Sequence, residues 1–534
     1  MIWLTLMACS GSDDGETTDT PTDVVDETAH TGTETDTPPE HTGETTTPIE
    51  FCEIDAGLSV TGLTTSDGPH STLRAVHVEL SKPATVAVRC KLDGDPTEVH
   101  LLESTTEATS HDLRFSGLLP NATYTCEATP TCPTIAGAPS SISVTTGPRP
   151  NLLPDVTVTV DPTLGMTGSW TMMNWRDGAC PQDGNPWLVV YDEEGTLRWW
   201  KQFPVELTGD IEGLWHAEDD AIVWGGGYSA EGRCRVSPLW EETDAYACEN
   251  LPNALSIFFH HDAKRLADGR MLTLEARANN RGPVVWSGFG VRVHDPASGR
   301  VDVDINSQRY ADEGSLPDGS AADPEPYHAN AVELYQVPGG PERLYVSLCF
   351  DRSIMAIDPT NGDLRWRLVQ GEGWTVWDAQ GNRLSEDMLP QCQHGMDILG
   401  DDRILVYDNG QFRESSQITD LSIDGVNKRV TVNWQWTDGW YEDTLGDVDD
   451  LGNGRVLVDQ AHPKCWSRAP AGAKTKVLEI DQATGQVASM LEMPTDRDAS
   501  YRAQRYDGCE LFPGTRFCDA TRTRLAQLRP LFER

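Results

Sequence analysis

Three histidines open strand-like segments at wide intervals in this chain: His261 in "HHDAKRLADGR", His328 in "HANAVEL" and His394 in "QHGMDILGDDRILVYDNG". An imidazole has an unperturbed pKa of about 6.5, so its neutral nitrogen is a competent nucleophile, base or ligand near neutral pH. One histidine ahead of an apolar run is ordinarily a polar residue bonded at a strand end. Three that open successive copies of a repeat, in equivalent register, imply convergence if the repeats close into a ring. Two uses of such a set present themselves. One imidazole attacks an electrophile while its neighbours meet the developing negative charge, or all three bind a metal ion with one position left open.

The elements that must bring them together are legible as a repeat. One half of the unit is an apolar strand, an Asp, a Gly turn and a second strand, often ending in Trp. Examples are "WLVVYDEEGTLRWW", "SIMAIDPTNGDLRWRL" and "KVLEIDQATGQVASML". The other half is an alternating strand, a turn and a strand, as in "QHGMDILGDDRILVYDNG" and "GDVDDLGNGRVLVDQA". Asp and Gly between alternating runs are hairpin chemistry. Two hairpins make four strands, which is a propeller blade. Units begin near Gly168, Asp210, His260, His328, His394 and Gly446, which predicts a six-bladed β-propeller over residues 150–534. In a propeller the first strand of each blade lines the central channel, and "SYRAQRYDGCELFPG" is positioned to close the ring by adding a strand to the first blade. His260 is expected to turn into its blade, and the hairpin-ending Trp residues to pack between blades. Nothing long shows a 3.6-residue period, so helical stacks are excluded.

Ahead of the propeller, residues 51–148 contain short alternating strands, among them "LRAVHVEL", "ATVAVRC" and "SSISVTTG", which suit a small β-sandwich. The segment "GLLPNATYTCEA" resembles a fibronectin type III module, and the resemblance makes Tyr124 the buried tyrosine of that module. The fold class is therefore all-β: a six-bladed propeller preceded by a small sandwich and a disordered linker. The linker is residues 10–50, rich in Thr, Asp, Glu, Pro and Gly, with too little apolar surface to offset its ordering entropy. Residues 1–9 end in "LMAC", which resembles a bacterial lipoprotein box with Cys9 as the lipidated residue. Its apolar run is short and lacks a basic start, so the true initiator is expected upstream of Met1.

Composition narrows the partners. The formal charge of −43 over 534 residues argues against nucleic acid, which needs a basic footprint. No other apolar run approaches the roughly 18 residues needed to span a bilayer, so membrane contact is expected only through the lipid anchor. Setting Cys9 aside, twelve of the 13 cysteines remain, an even number that fits disulfides in an exported chain. Their spacing, including Cys234 with Cys248 and Cys509 with Cys518, forms no zinc-type CxxC pairs. The acidic "DGWYEDTLGDVDDLGNG" lacks a defined calcium-loop signature and is expected to be a solvated loop.

From about Leu152 to Gly514 the chain resembles the arylsulfate sulfotransferases, on "HHDAKRLADGR", "HANAVEL", "QHGMDILGDDRILVYDNG" and "SYRAQR", which occur in family order and spacing. The resemblance implies transfer of a sulfuryl group from an aryl sulfate to a phenolic acceptor, through a sulfated histidine and without a nucleotide donor, metal or organic cofactor. It makes His394 the nucleophile, and His261, His328 and Asn330 sulfuryl-binding residues. It also implies a periplasmic or cell-surface lipoprotein, or otherwise a secreted enzyme. Two positions depart from the family. Cys349 stands where an arginine is usual, leaving Arg502 as the better source of positive charge and Arg352 directed elsewhere. Gly395 stands where an aspartate usually follows the nucleophile, with Asp397 as the nearest compensating carboxylate. The alternative reading is a diverged, non-catalytic propeller that binds a ligand or protein at the cell surface. A quinone-dependent dehydrogenase propeller is disfavoured because the repeats lack its Trp-docking pattern.

Overall fold

The computed structural model describes residues 57–533 apart from 69, 132–138, 178–185, 203–214, 217–221, 225–232, 237–246, 250–257, 296–297, 321, 462–471 and 496–497. Cys9, the linker and the side chain of His260 lie outside the described residues. No helix among the described residues is long and apolar enough to cross a membrane.

The first part is a sandwich of two antiparallel sheets. One has the order Val60–Asp67, Arg74–Ala84, Ala108–Phe115, and the other Asp95–Glu103, Val86–Leu92, Thr123–Pro130, Ser140–Thr145. Alternation drives the closure: from Arg74 to Leu80 every second side chain is buried, which sends Val76, Val78 and Leu80 to meet Val86, Val88 and Phe115 in the core. Tyr124 is fully buried, and its hydroxyl accepts a hydrogen bond from Leu119 N at 2.9 Å. A disulfide joins Cys90 and Cys126, register partners on the two central strands of the larger sheet.

Six antiparallel sheets follow and make the propeller. Blade 3 is Phe258–Arg265, Met271–Arg281, Val284–His294 and Val301–Asn306. Blade 4 is Ala329–Gln336, Glu342–Leu348, Ser353–Ile357 and Leu364–Leu368. Blade 5 is Gln393–Gly400, Arg403–Asp408, Gln417–Asp424 and Arg429–Trp436. A short hairpin, Thr375–Asp378 with Arg383–Leu384, extends blade 5 by parallel pairing to its outer strand. Blade 6 is Asp447–Gly452, Arg455–Gln460, Lys476–Asp481 and Val487–Glu492. Blade 2 has four short strands between Trp215 and Glu249.

Both ends of the propeller sequence close the ring. Blade 1 is built outward from Trp170–Asp177, and its inner strand is Ala503–Tyr506 from the end of the chain, with Ala503 opposite Met173 and Tyr506 opposite Trp170. At the other side of the seam, Thr157–Val160 adds a fifth strand to the outer edge of blade 6. Tryptophans fill the blade interfaces: Trp366 and Trp374 between blades 4 and 5, Trp436 and Trp440 between blades 5 and 6. Truncating one such buried indole costs roughly 3–5 kcal/mol.

The sandwich is docked on blade 1 through a buried ionic seam. Arg198, 1% exposed, reaches Glu98 Oε1 at 2.6 Å, Glu98 Oε2 at 3.2 Å and Asp192 Oδ2 at 2.6 Å. His100 and Arg516 lie against the same Glu98 carboxylate at 2.9 Å each. Burial disfavours ionisation of Glu98, but hydrogen bonds from His100 and Arg198 and the guanidinium charge override it and hold the carboxyl well below the usual range. A C-terminal helix, Asp519–Phe532, lays Leu528, Leu531 and Phe532 on Ala87 and Leu101 of the sandwich. The Cys509–Cys518 disulfide ties the segment between the closing strand and that helix. Breaking a buried ion pair by removing one partner costs about 3–5 kcal/mol, because the other charge is left uncompensated. Arg198→Met is therefore expected to lower the unfolding free energy by about that amount in guanidinium titrations. A change below about 1 kcal/mol would show that other contacts hold the seam.

Candidate active site

The inner strands of blades 3 to 6 and the closing strand are neighbours around the axis, and the ladder slips where the candidate residues sit. In blade 5, Gln393 pairs with Asp408 and Gly395 with Tyr407, so His394 is the extra residue of a bulge. In blade 4, Ala329 pairs with Leu348 and Ala331 with Ser347, which makes Asn330 the extra residue. A bulge re-aims the side chain it carries. The structural counterpart of His394 is thus Asn330, and that of His328 is Cys392, two residues earlier; both of the latter have positive φ, 47° and 56°. The three histidines therefore do not share one register. They converge from different depths because the bulges, not the repeat spacing, set the phase. His261 also has a positive φ, 61°, and such backbone costs about 1–3 kcal/mol per non-glycine residue.

The convergence is close. Ring centroids of His261 and His328 are 4.8 Å apart, and those of His261 and His394 are 6.3 Å apart. Tyr501, next to Arg502 on the closing segment, stands 6.0 Å from His261 and 6.3 Å from His394. Sequence reasoning quoted Tyr501 within "SYRAQR" but assigned it nothing.

His394 is 4% exposed, and its protonation pattern follows from its partners. Its Nδ1 lies 2.8 Å from Asn409 Oδ1. Asn409 Nδ2 donates to the carbonyls of Glu442 and Leu445, at 2.9 and 2.8 Å, so the amide cannot be turned around. Oδ1 must accept, Nδ1 must carry the proton, and Nε2 keeps its lone pair. Burial, opposed by the Asn409 bond and reinforced by His328 and Arg502, pushes the pKa of His394 down to about 3. The residue is a neutral imidazole whose Nε2 has no hydrogen-bond partner among the described residues.

Arg502, 5% exposed, touches three blades. Its Nη1 lies 3.1 Å from Asp447 Oδ1 in blade 6, and its Nη2 lies 3.7 Å from Asp262 Oδ1 in blade 3 and 3.5 Å from Asn330 O in blade 4. Burial opposes its charge, but Asp262 and Asp447 hold the guanidinium firmly protonated. Its Nε is buried without a hydrogen-bond partner among the described residues. Asn174 Oδ1 accepts from the backbone N–H groups of both Tyr501 and Arg502, at 2.8 and 2.9 Å, and fixes the approach of this segment. Asn330 donates one amide hydrogen to Gln393 O at 3.2 Å, bridging blade 4 to the strand that carries His394.

The two departures from the family pattern have structural explanations. Cys349 is not a bare loss of a cation: it forms a disulfide with Cys392, two residues before His394, and so staples blade 4 to blade 5. Gly395 is required by close packing. A Cβ there would sit 2.6 Å from Asp447 Oδ1 and 2.8 Å from Val448 N, leaving no room for an aspartate. Asp397 does not compensate, because its carboxylate accepts from Ile398 N at 2.8 Å and from Asp450 N at 2.9 Å. Arg352 lies over the Phe412 ring at 3.8 Å, away from the histidines. Phe350, half-exposed, stacks on His328 with centroids 4.5 Å apart.

The imidazoles of His261 and His328 point at each other, Nε2 to Nε2 at 3.1 Å. Among the described residues no group of three or more His, Cys, Asp or Glu side chains is arranged to hold a metal ion, the acidic segment near Asp447 included. The arrangement offers one bare imidazole nitrogen, one orphaned guanidinium donor, and a hydrogen-bonded His–His–Tyr group facing both.

Residues 157–502 match the family model described as arylsulfotransferase (ASST). No curated protein matches. Among solved structures, the chain is similar to the periplasmic gluconolactonase of Pseudomonas aeruginosa, at 11% identity over 62% of this chain and 98% of that one, with a TM-score of 0.33. It is also similar to the β-propeller domain of Cps50 (Swd1) from Myceliophteria thermophila, at 9% identity over 62% of this chain and 88% of that one, again with a TM-score of 0.33. Likeness at that level has no bearing on the chemistry of the channel.

Folded His394 stays neutral down to about pH 3, whereas in the unfolded chain it takes up a proton near 6.5. Between those values the unfolded state binds the extra proton, so stability falls as the pH is lowered. His394→Gln is expected to lose less stability than the wild type between about pH 6 and about pH 4, by up to about 1.4 kcal/mol per pH unit. Equal slopes in denaturant titrations across that range would contradict a buried neutral imidazole.

Proposed function

The chain belongs to the arylsulfotransferase family, and from that premise we propose that it transfers a sulfuryl group from an aryl sulfate to a phenol through His394. The observation that carries this reading is the Asn409–His394 bond, which leaves Nε2 as a bare, neutral nucleophile. In the first half-reaction Nε2 attacks sulfur, the S–O bond to the aryl group breaks, and a phenolate departs. Nδ1 keeps its proton, because Asn409 Oδ1 accepts but does not take it. The intermediate is an N-sulfoimidazolium whose leaving group in the second half-reaction is again neutral imidazole. Attack by the acceptor phenol then forms the new S–O bond and returns the electron pair to Nε2.

Charge on the sulfuryl oxygens is met by directed donors. Asp262 and Asp447 offset the net charge of Arg502, so what Arg502 offers is its orphaned Nε–H aimed from a fixed guanidinium. The second amide hydrogen of Asn330 completes the set, with the His261–His328 pair bordering the same space. The exposed Phe350 ring beside His328 suits an aromatic substrate. The disulfides are consistent with a protein exposed to an oxidising compartment. We place it outside the cytoplasm, tethered through Cys9.

A transfer assay with 4-nitrophenyl sulfate as donor and phenol as acceptor tests the reading. Wild type should give parallel double-reciprocal plots, the mark of two half-reactions, and His394→Ala should lose on the order of a thousandfold or more. No turnover by wild type across several aryl sulfates would leave the propeller as a binding module. Turnover surviving in His394→Ala would remove the nucleophile assignment.

A further inference from the structure

Sulfuryl transfer between phenols moves a proton as well as SO3. The departing phenolate gains one and the acceptor phenol loses one, in a site where His394 can do neither because its Nδ1 proton is held and its Nε2 is the reacting atom. Resting on the arylsulfotransferase reading, we propose that Tyr501, His261, His328 and Glu325 form a proton relay connecting the reacting phenolic oxygen to solvent.

The four groups stand in file. Tyr501 OH is 3.2 Å from His261 Nδ1, His261 Nε2 is 3.1 Å from His328 Nε2, and His328 Nδ1 is 2.9 Å from Glu325 Oε1. Exposure rises along the file: Tyr501 is 4% and His261 9% exposed, while the side chains of His328 and Glu325 are 16% and 33% exposed. The inner end borders the reacting imidazole, since the rings of Tyr501 and His261 each lie 6.3 Å from that of His394.

The direction of each bond follows from its outer end. An ionised Glu325 only accepts, so His328 Nδ1 donates to it. A neutral His328 then has a bare Nε2, which accepts from His261 Nε2–H. A neutral His261 has a bare Nδ1, which accepts from the Tyr501 hydroxyl. Every donor points outward, and that is the polarity that removes a proton from the acceptor phenol. The phenolic O–H bond breaks, its proton joins the Tyr501 oxygen, and the Tyr501 proton moves to His261 Nδ1. The His261 Nε2 proton moves to His328 Nε2, and the His328 Nδ1 proton comes to rest on Glu325, the half-exposed carboxyl at the outer end. No atom is oxidised or reduced.

Afterwards every donor points inward. That inverted file, headed by the protonated Glu325, is the one that protonates a departing phenolate in the next first half-reaction, and in doing so it returns Glu325 to its ionised form. The two half-reactions shift the proton in opposite directions, so each full turnover restores the relay without a ring flip. This assigns Tyr501 and Glu325, neither marked by the sequence pattern, to the proton traffic of the reaction.

The test is the dependence of kcat/KM on the leaving phenol, with 4-nitrophenyl sulfate as a donor that needs little protonation and 4-methylphenyl sulfate as one that needs much. Glu325→Gln and Tyr501→Phe are each compared with wild type, and a solvent deuterium isotope effect is measured on the poor donor. General acid–base assistance is worth about 10²–10⁴-fold. Both variants should lose about 10²-fold or more on 4-methylphenyl sulfate and far less on 4-nitrophenyl sulfate, and the wild-type isotope effect should fall. Equal losses on both donors, or none, with wild type active, would overturn the relay alone. Wild type inactive on both donors would overturn the arylsulfotransferase reading and the relay with it.

Discussion

The propeller closes by drawing the end of its sequence into its beginning, and the chemistry of the channel hangs on that seam. Ala503–Tyr506 becomes the inner strand of blade 1, and the turn leading into it carries Tyr501 and Arg502 to the axis. Without Arg502, Asp447 would be a buried carboxylate with no salt-bridge partner among the described residues, and Asp262 would keep only Lys264, 3.8 Å away. Leaving a buried charge uncompensated in this way costs about 3–5 kcal/mol. Closure therefore couples ring integrity to site assembly: the strand that seals the fold also delivers the cation. Asn174 holds the backbone of that turn from blade 1, and Ser500 bonds Asp459 of blade 6 at 2.7 Å from its other side. Burial pushes Asp459 up to about 8, with the Ser500 bond opposing it.

The tail beyond the closing strand is itself anchored. The Cys509–Cys518 disulfide and the helix packed on the sandwich prevent it from peeling away, and Arg516 joins the Glu98 network that docks the sandwich on blade 1. The sandwich is thereby a support for the seam. At the opposite side of the channel the Cys349–Cys392 bridge performs a similar task, fixing the start of the strand that presents His394.

Much of this was legible in the sequence because hairpin chemistry repeats. Asp–Gly turns between alternating runs marked the blades, and "SYRAQR" marked the closing strand together with Arg502. His261, His328 and His394 were readable as a converging set. Their phase was not, because a bulge displaces the ladder by a residue without changing composition. Asn409 sat in plain view at the end of "VYDNG", but its role depends on carbonyls of Glu442 and Leu445, in the loop before the next blade's first strand. Cys349 and Gly395 read as losses because a pairwise comparison shows what is missing at a position, and neither the partner cysteine nor the crowding by Asp447 is adjacent in sequence.

The central claim is that His394 Nε2 is a nucleophile held ready by Asn409. The direct measurement is peptide mapping by mass spectrometry after rapid mixing with 4-nitrophenyl sulfate in the absence of an acceptor. The account predicts one SO3 increment on the peptide containing His394, lost when phenol is added and absent in His394→Ala. An increment on another residue, or turnover with His394 unmodified under single-turnover conditions, would contradict it.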